Sequence, residues 1–111
     1  MMPQHFSDDV DPKCGQPLAD RLNLNRFVFC AGCLIGTVIT SLAACLKDEN
    51  LSVQDYAIVS GIGCTGRSSG CFRAPAFHTT HGRAIPFATG LKLAKPGIKV
   101  FVLSGDGDIS A

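Results

Sequence analysis

The chain has 111 residues, 46% of them hydrophobic, and its 10 Lys and Arg against 9 Asp and Glu leave a formal net charge of +1. That length holds one domain or a piece of a larger one and excludes two, and so near-neutral a balance supplies no basic field for nucleic acid. Six cysteines would fit a secreted disulfide framework, but no basic segment followed by an apolar run opens the sequence. A reducing, cytoplasmic setting, with thiols kept for metal or redox work, is therefore expected.

Residues 1–26 carry Pro3, Asp8, Asp9, Asp11, Pro12, Gly15 and Pro17 with little apolar periodicity, and read as an N-terminal arm ahead of a folded domain over 27–111. Cys14, alone in that arm, reads as a free exposed thiol. Ala19 to Leu24 allow one helical turn at most.

Phe27 to Leu46 contains no charge, and its length is that of a membrane span, about 20 residues. Gly32, Gly36, Thr40 and Ala44 form a small-residue stripe that permits helix pairing in a membrane and equally permits a helix to pack on a sheet. Cys30, Cys33, Thr37, Thr40, Ser41 and Cys45 interrupt the run, which argues against a span. The preferred reading is a lead-in over Phe27 to Phe29, a Cys-x-x-Cys turn, and a buried helix from about Leu34 to Leu46, with Cys45 one of its small apolar residues.

Tyr56-Ala57-Ile58-Val59 reads as a buried strand, followed by Gly61-Ile62-Gly63-Cys64-Thr65-Gly66. This spells G-x-G-x-x-G, but a dinucleotide site needs a helix to follow and an acidic residue about 20 positions on. Neither is expected, since Arg67 to Pro75 reads as loop. Phe77 to Gly82 reads as a polar loop carrying His78 and His81. Arg83 to Lys95 reads as a helix with Pro86 in its first turn, an apolar stripe of Ile85, Phe87, Ala88, Leu91 and Ala94, and a stop at Pro96-Gly97.

Ile98 to Leu103 reads as a second strand, buried on both faces. Ser104-Gly105-Asp106-Gly107-Asp108 then makes a tight turn at its carboxyl end, where open α/β sheets bind ligands. Glycines there admit backbone N–H groups to a diphosphate, and Asp106 offers a hard oxygen to Mg²⁺. The two strands and the helix between them predict a βαβ-like unit whose glycine-rich turns open on one edge.

Cys30-Ala31-Gly32-Cys33 has three chemical readings: a metal or cluster grip, a thioredoxin-like redox pair, or half of a zinc site completed by Cys64 with Cys71 or a histidine. Two buried thiols is the plainer alternative. The corresponding functions are a thiol oxidoreductase and a zinc-binding interaction module.

The order FCAGC, SGIGCTG, FHTTHGRAIPFATGLKLAKPG and VFVLSGDGD resembles the beta subunit of the 2-oxoacid:ferredoxin oxidoreductases, particularly those acting on 2-oxoglutarate, over about Asn23 to Ala111. The resemblance implies a parallel-sheet α/β domain that binds thiamine diphosphate, incomplete at its C-terminus, so that the chain reads as a fragment. It implies Cys30, Cys33 and Cys64 as ligands of a 4Fe-4S cluster and Asp106 as the Mg²⁺ ligand. It places Ile62, Gly63, Cys64, Thr65, His78 and His81 around thiamine diphosphate, with Gly107 and Asp108 beside the diphosphate.

The implied reaction is oxidative decarboxylation of a 2-oxo acid to the acyl-CoA, with ferredoxin as electron acceptor. An alpha subunit is the implied partner and supplies the base-activating glutamate. Arg67, three residues after Cys64, is expected to pair with the distal carboxylate of 2-oxoglutarate. Two positions depart from the family's Cys-Pro-Gly-Cys-Gly: Ala31 replaces the proline and Leu34 the second glycine.

Overall fold

A computed structural model of the chain describes residues 18–111; Cys14 and most of the expected arm lie outside the described residues. Helix α1 spans Leu34–Asp48, strand β1 Tyr56–Ser60, β2 Ala76–His78, helix α2 Ala84–Ala94, β3 Lys99–Leu103 and the single turn α3 Asp106–Ile109. The three strands form one parallel sheet in the order β2-β1-β3.

β1 takes the centre because every residue of Tyr56–Ser60 is buried, the pattern expected of a strand covered on both faces. Its side chains alternate between two cores. Tyr56 and Ile58 join Ile39, Ala43 and Leu46 of α1, while Val59 joins Ala84 and Ala88 of α2. β3 follows the same period of two, with Phe101 and Leu103 toward the first core and Val100 and Val102 toward the second. The rings of Tyr56 and Phe101 meet edge to face at 6.2 Å.

Several expectations change. β3 is not buried on both faces: Lys99 is exposed and the rest are half-buried, because among the described residues β3 is the sheet's edge and only β1 pairs with it. α1 runs two residues past Leu46, takes in Lys47 and Asp48, and buries only one stripe. Leu34 is 74% and Val38 53% exposed, and Cys45, expected inside, faces solvent. In α2, Ala88 is buried as expected, but Ile85 and Phe87 remain substantially exposed.

The expected loop over 67–75 instead begins as a 3₁₀ helix, Thr65–Cys71, and Phe77–His78, expected in a loop, belong to β2. The last residues of the expected arm are packed. Leu18 and Leu22 enter the first core, and Leu22 bridges antiparallel to Phe72. An isolated apolar residue among polar neighbours has no period to betray it, yet here a distant partner covers it. Among the described residues, no helix is long and apolar enough to cross a membrane.

Candidate functional site

Register places the site. Ser60 pairs with His78 on one side and with Leu103 on the other, so the three strands end level. The segments that follow, 61–65, 79–82 and 104–108, leave from one edge. Thr79 ties two of these exits together, its N–H and Oγ1–H donating to Ser60 O at 2.7 and 3.0 Å. Ser60 Oγ in turn donates to Gly66 O at 2.6 Å.

Asp108 binds all three exits. Its Oδ1 accepts from Ile62 N at 3.1 Å, Gly82 N at 3.0 Å and His81 Nδ1 at 2.7 Å, while Oδ2 accepts from Ser104 Oγ at 2.5 Å. The residue is 4% exposed. Hydrogen bonds from Ser104, Gly82 and Ile62, and then His81, outweigh desolvation and hold the carboxyl well below the usual carboxylate range. A carboxylate so fully engaged by donors has little left for a ligand. Asp108, expected beside a diphosphate, is the knot of the loops.

The glycines of G-x-G-x-x-G have packing and backbone reasons. A Cβ on Gly61 would fall 1.7 Å from Asp108 Oδ2, and one on Gly66 would fall 2.2 Å from Gly61 O. Gly63 has φ +101°, a conformation that favours glycine. None of the three roles needs a phosphate.

Around this knot, Ile62, Gly63, Cys64, His78, His81, Asp106 and Gly107 are exposed and Thr65 half-buried. Gly105, the cap of α3, lies against Thr65, whose Oγ1 would be 3.6 Å from a Cβ built there. The expected cofactor residues therefore do share one edge. Asp106 opens α3 with its carboxylate exposed and without a side-chain partner among the described residues, and the space beside Gly107 is open. These features fit an oxygen ligand for a divalent cation beside close backbone approach.

The cysteines are arranged less compactly. Cys33 N donates to Cys30 O at 3.0 Å across a turn whose Gly32 has φ +78°, and Cys33 caps α1. The leucine at 34 meets no crowding, being 74% exposed. Cys30 and Cys64 are exposed and Cys33 half-buried. Among the described residues, no group of three or more His, Cys, Asp or Glu comes close enough to hold a metal ion. Cys30, Cys33 and Cys64 thus do not converge here. Cys71 is buried, its Sγ directed at Arg26 O at 3.4 Å, and burial pushes its thiol up against the opposing influence of Arg26 and Arg67.

Arg67 lies to one side, on a cavity of about 900 Å³ that it lines with Arg26, Arg73 and His78 and, among the described residues, with no acidic one. Arg26 and Arg73 were not anticipated from the sequence. They stand 47 positions apart and line one cavity beside the bridge that Leu22 makes to Phe72.

Residues 61–111 match the family described as the thiamine pyrophosphate enzyme, C-terminal TPP binding domain. The chain is 45% identical over 84 residues to a 2-oxoglutarate synthase subunit KorB of Methanocaldococcus jannaschii, covering 76% of this chain and 31% of that protein. It is 41% identical over 81 residues to subunit beta of 2-oxoacid:ferredoxin oxidoreductase 2 of Aeropyrum pernix, covering 73% and 26%. Among solved structures, it superposes with a TM-score of 0.77 and 30% identity on 2-oxoglutarate:ferredoxin oxidoreductase from Magnetococcus marinus with 2-oxoglutarate, coenzyme A and succinyl-CoA bound. That match covers 94% of this chain and 34% of the other.

The chain spans about a third of the length of the curated relatives it matches. Neither a thioredoxin-like protein nor a zinc module is supported by these relatives. Over the segment they share, the chain belongs with the beta subunits of the 2-oxoacid:ferredoxin oxidoreductases of the 2-oxoglutarate synthase type.

Proposed function

We propose that this chain supplies the thiamine-diphosphate-binding part of an enzyme that oxidatively decarboxylates 2-oxoglutarate to its acyl-CoA, together with an alpha subunit and with ferredoxin as electron acceptor, in the cytoplasm. The observation that carries this reading is the level ending of β1, β2 and β3, which gathers 61–65, 78–82 and 104–108 on one edge, where α/β sheets bind ligands. Residues 27–111 act as the folded domain, with 18–26 packed against it.

Thiamine diphosphate, when bound, supplies the nucleophilic carbon and the electron sink for loss of carbon dioxide from a 2-oxo acid. Asp106 ligates the Mg²⁺ that neutralises the diphosphate, and Gly107 lets the chain approach it. Ile62, Gly63, Cys64, Thr65, His78 and His81 line the cofactor. Arg67, backed by Arg26 and Arg73 in a cavity that no acid lines among the described residues, pairs with the distal carboxylate of the substrate.

Cys30, Cys33 and Cys64 are assigned to a 4Fe-4S cluster on the resemblance and on the Cys-x-x-Cys turn. The three do not converge among the described residues, and their arrangement in this structure does not fit the cluster.

The direct test is calorimetric titration of thiamine diphosphate with Mg²⁺ into the full chain and into Asp106→Ala. Saturable, Mg²⁺-dependent binding that the substitution abolishes is the expected result. Equal affinity in the two chains would remove Asp106 from the site.

A further inference from the structure

The ring of His81 reaches Asp108 through Nδ1, at 2.7 Å from Oδ1. The same oxygen already accepts the N–H groups of Ile62 and Gly82. Those backbone groups can only donate, so Oδ1 is an acceptor in every contact it makes. The proton of the third contact must then sit on the imidazole, at Nδ1. The donor set of Asp108 is closed by Ser104 Oγ on Oδ2, which leaves the carboxylate without a proton to offer.

We propose that Asp108 is a positioning residue whose carboxylate fixes the tautomer of His81: in the neutral form of the ring the proton sits on Nδ1, leaving Nε2 bare at the sheet edge as a proton acceptor. The bare nitrogen belongs to the neutral ring, since neutral imidazole carries a proton on one nitrogen alone. His81 is half-exposed, its side chain 54% accessible against 2% for Asp108, so the ring and not the carboxylate meets a ligand. A bare Nε2 suits a ligand group that donates, such as a hydroxyl or an amine, and is repelled by a phosphate oxygen. This divides the labour on the edge. Asp106 and Gly107 serve the anionic part of a ligand, and His81 serves a donor on it.

The same carboxylate fixes Ile62 N and Gly82 N, so one residue sets both the ring's proton and the spacing of the two loops that flank it. The naming of the ligand site rests on the proposed function, whereas the tautomer does not.

The experiment is a long-range ¹H–¹⁵N correlation spectrum of the full chain with ¹⁵N-labelled histidine, recorded where the rings are neutral and assigned with His81→Gln. The expected result is a protonated-type shift at Nδ1 of His81 and a bare-type shift at Nε2. In Asp108→Ala the ring should move toward the Nε2–H form. Asp108→Asn, whose amide oxygen can keep the three contacts of Oδ1, should restore the Nδ1–H form.

An Nε2–H ring in the unsubstituted chain overturns the proposal, and that measurement needs no variant to fold. A ring that keeps its proton on Nδ1 in folded Asp108→Ala overturns it as well. Thiamine diphosphate titrated into the unsubstituted chain tests the cofactor reading separately: a chain with the expected tautomer that binds no cofactor refutes that reading and leaves the role of Asp108 intact.

Discussion

Gly61 leaves the space that the carboxylate of Asp108 occupies: a Cβ at position 61 would stand 1.7 Å from Oδ2 and 2.5 Å from the carboxyl carbon. The carboxylate cannot swing aside cheaply, because four donors from three segments hold it. Gly61→Ala should therefore destabilise the chain by roughly 1–3 kcal/mol or more, the range for overfilling a packed site. Gly90 supplies the control, since it lies inside α2 with nothing within 4 Å of a built Cβ. Gly90→Ala should stabilise by about 0.5–1 kcal/mol, as expected for alanine replacing glycine in a helix. Denaturant unfolding of the two variants reads the contrast, and similar stabilities would mean that Asp108 relaxes away from Gly61.

The thiols give a second contrast. Cys45 is exposed on α1, whereas Cys71 is buried and its thiol is pushed up by desolvation. A raised thiol carries less thiolate at neutral pH, and the thiolate is the reactive form. Cys45 should react with a maleimide or iodoacetamide faster than Cys71 in the folded chain, because burial keeps the reagent from Cys71 and disfavours its thiolate. The difference should vanish in denaturant. Peptide mapping after timed alkylation measures both rates, and equal rates in the folded chain would contradict the placement of α1.

What could be read from the sequence was what local pattern encodes. Tyr56 to Val59 declares a central strand because every position is apolar, and Pro96-Gly97 stops α2 where the backbone can no longer continue it. The orientation of α1 was not legible: in a run where nearly every residue is apolar or small, periodicity cannot say which stripe is inside, and Cys45 fell on the wrong side. β2 escaped because three residues become a strand only by pairing with β1.

The knot at Asp108 joins residues 46, 27 and 26 positions away. No spacing rule reaches so far: the G-D-G-D string singles out Asp106 as an oxygen ligand and is silent on the donors that hold Asp108.

The cluster assignment yields its own test in the full-length subunit purified without oxygen. Cys30→Ser, Cys33→Ser and Cys64→Ser should each bleach the visible absorption and lower acid-labile sulfide. Cys45→Ser, on the exposed face of α1, should change neither, and Cys14→Ser should be equally silent. A spectrum that survives loss of Cys33 but not of Cys14 would show that the ligand set is wrong.

Arg67 carries the last prediction. It shares a cavity with Arg26, Arg73 and His78, and among the described residues no carboxylate lines that cavity. A guanidinium so placed is available to an external carboxylate, which it can grip through two parallel N–H···O contacts. Losing a hydrogen bond to a charged group costs on the order of 1.5–3 kcal/mol. In Arg67→Ile, kcat/KM for 2-oxoglutarate should accordingly fall by roughly tenfold or more, while pyruvate, which lacks the distal carboxylate, should be nearly unaffected. Arg26 and Arg73 preserve part of the positive field, so Arg26→Gln and Arg73→Gln should weaken 2-oxoglutarate less than Arg67→Ile does. The measurement is steady-state kinetics with both substrates in the complete subunit joined to its partners. Parallel losses for the two substrates, or no loss for either, would return Arg67 to the surface and leave the choice of substrate to another residue.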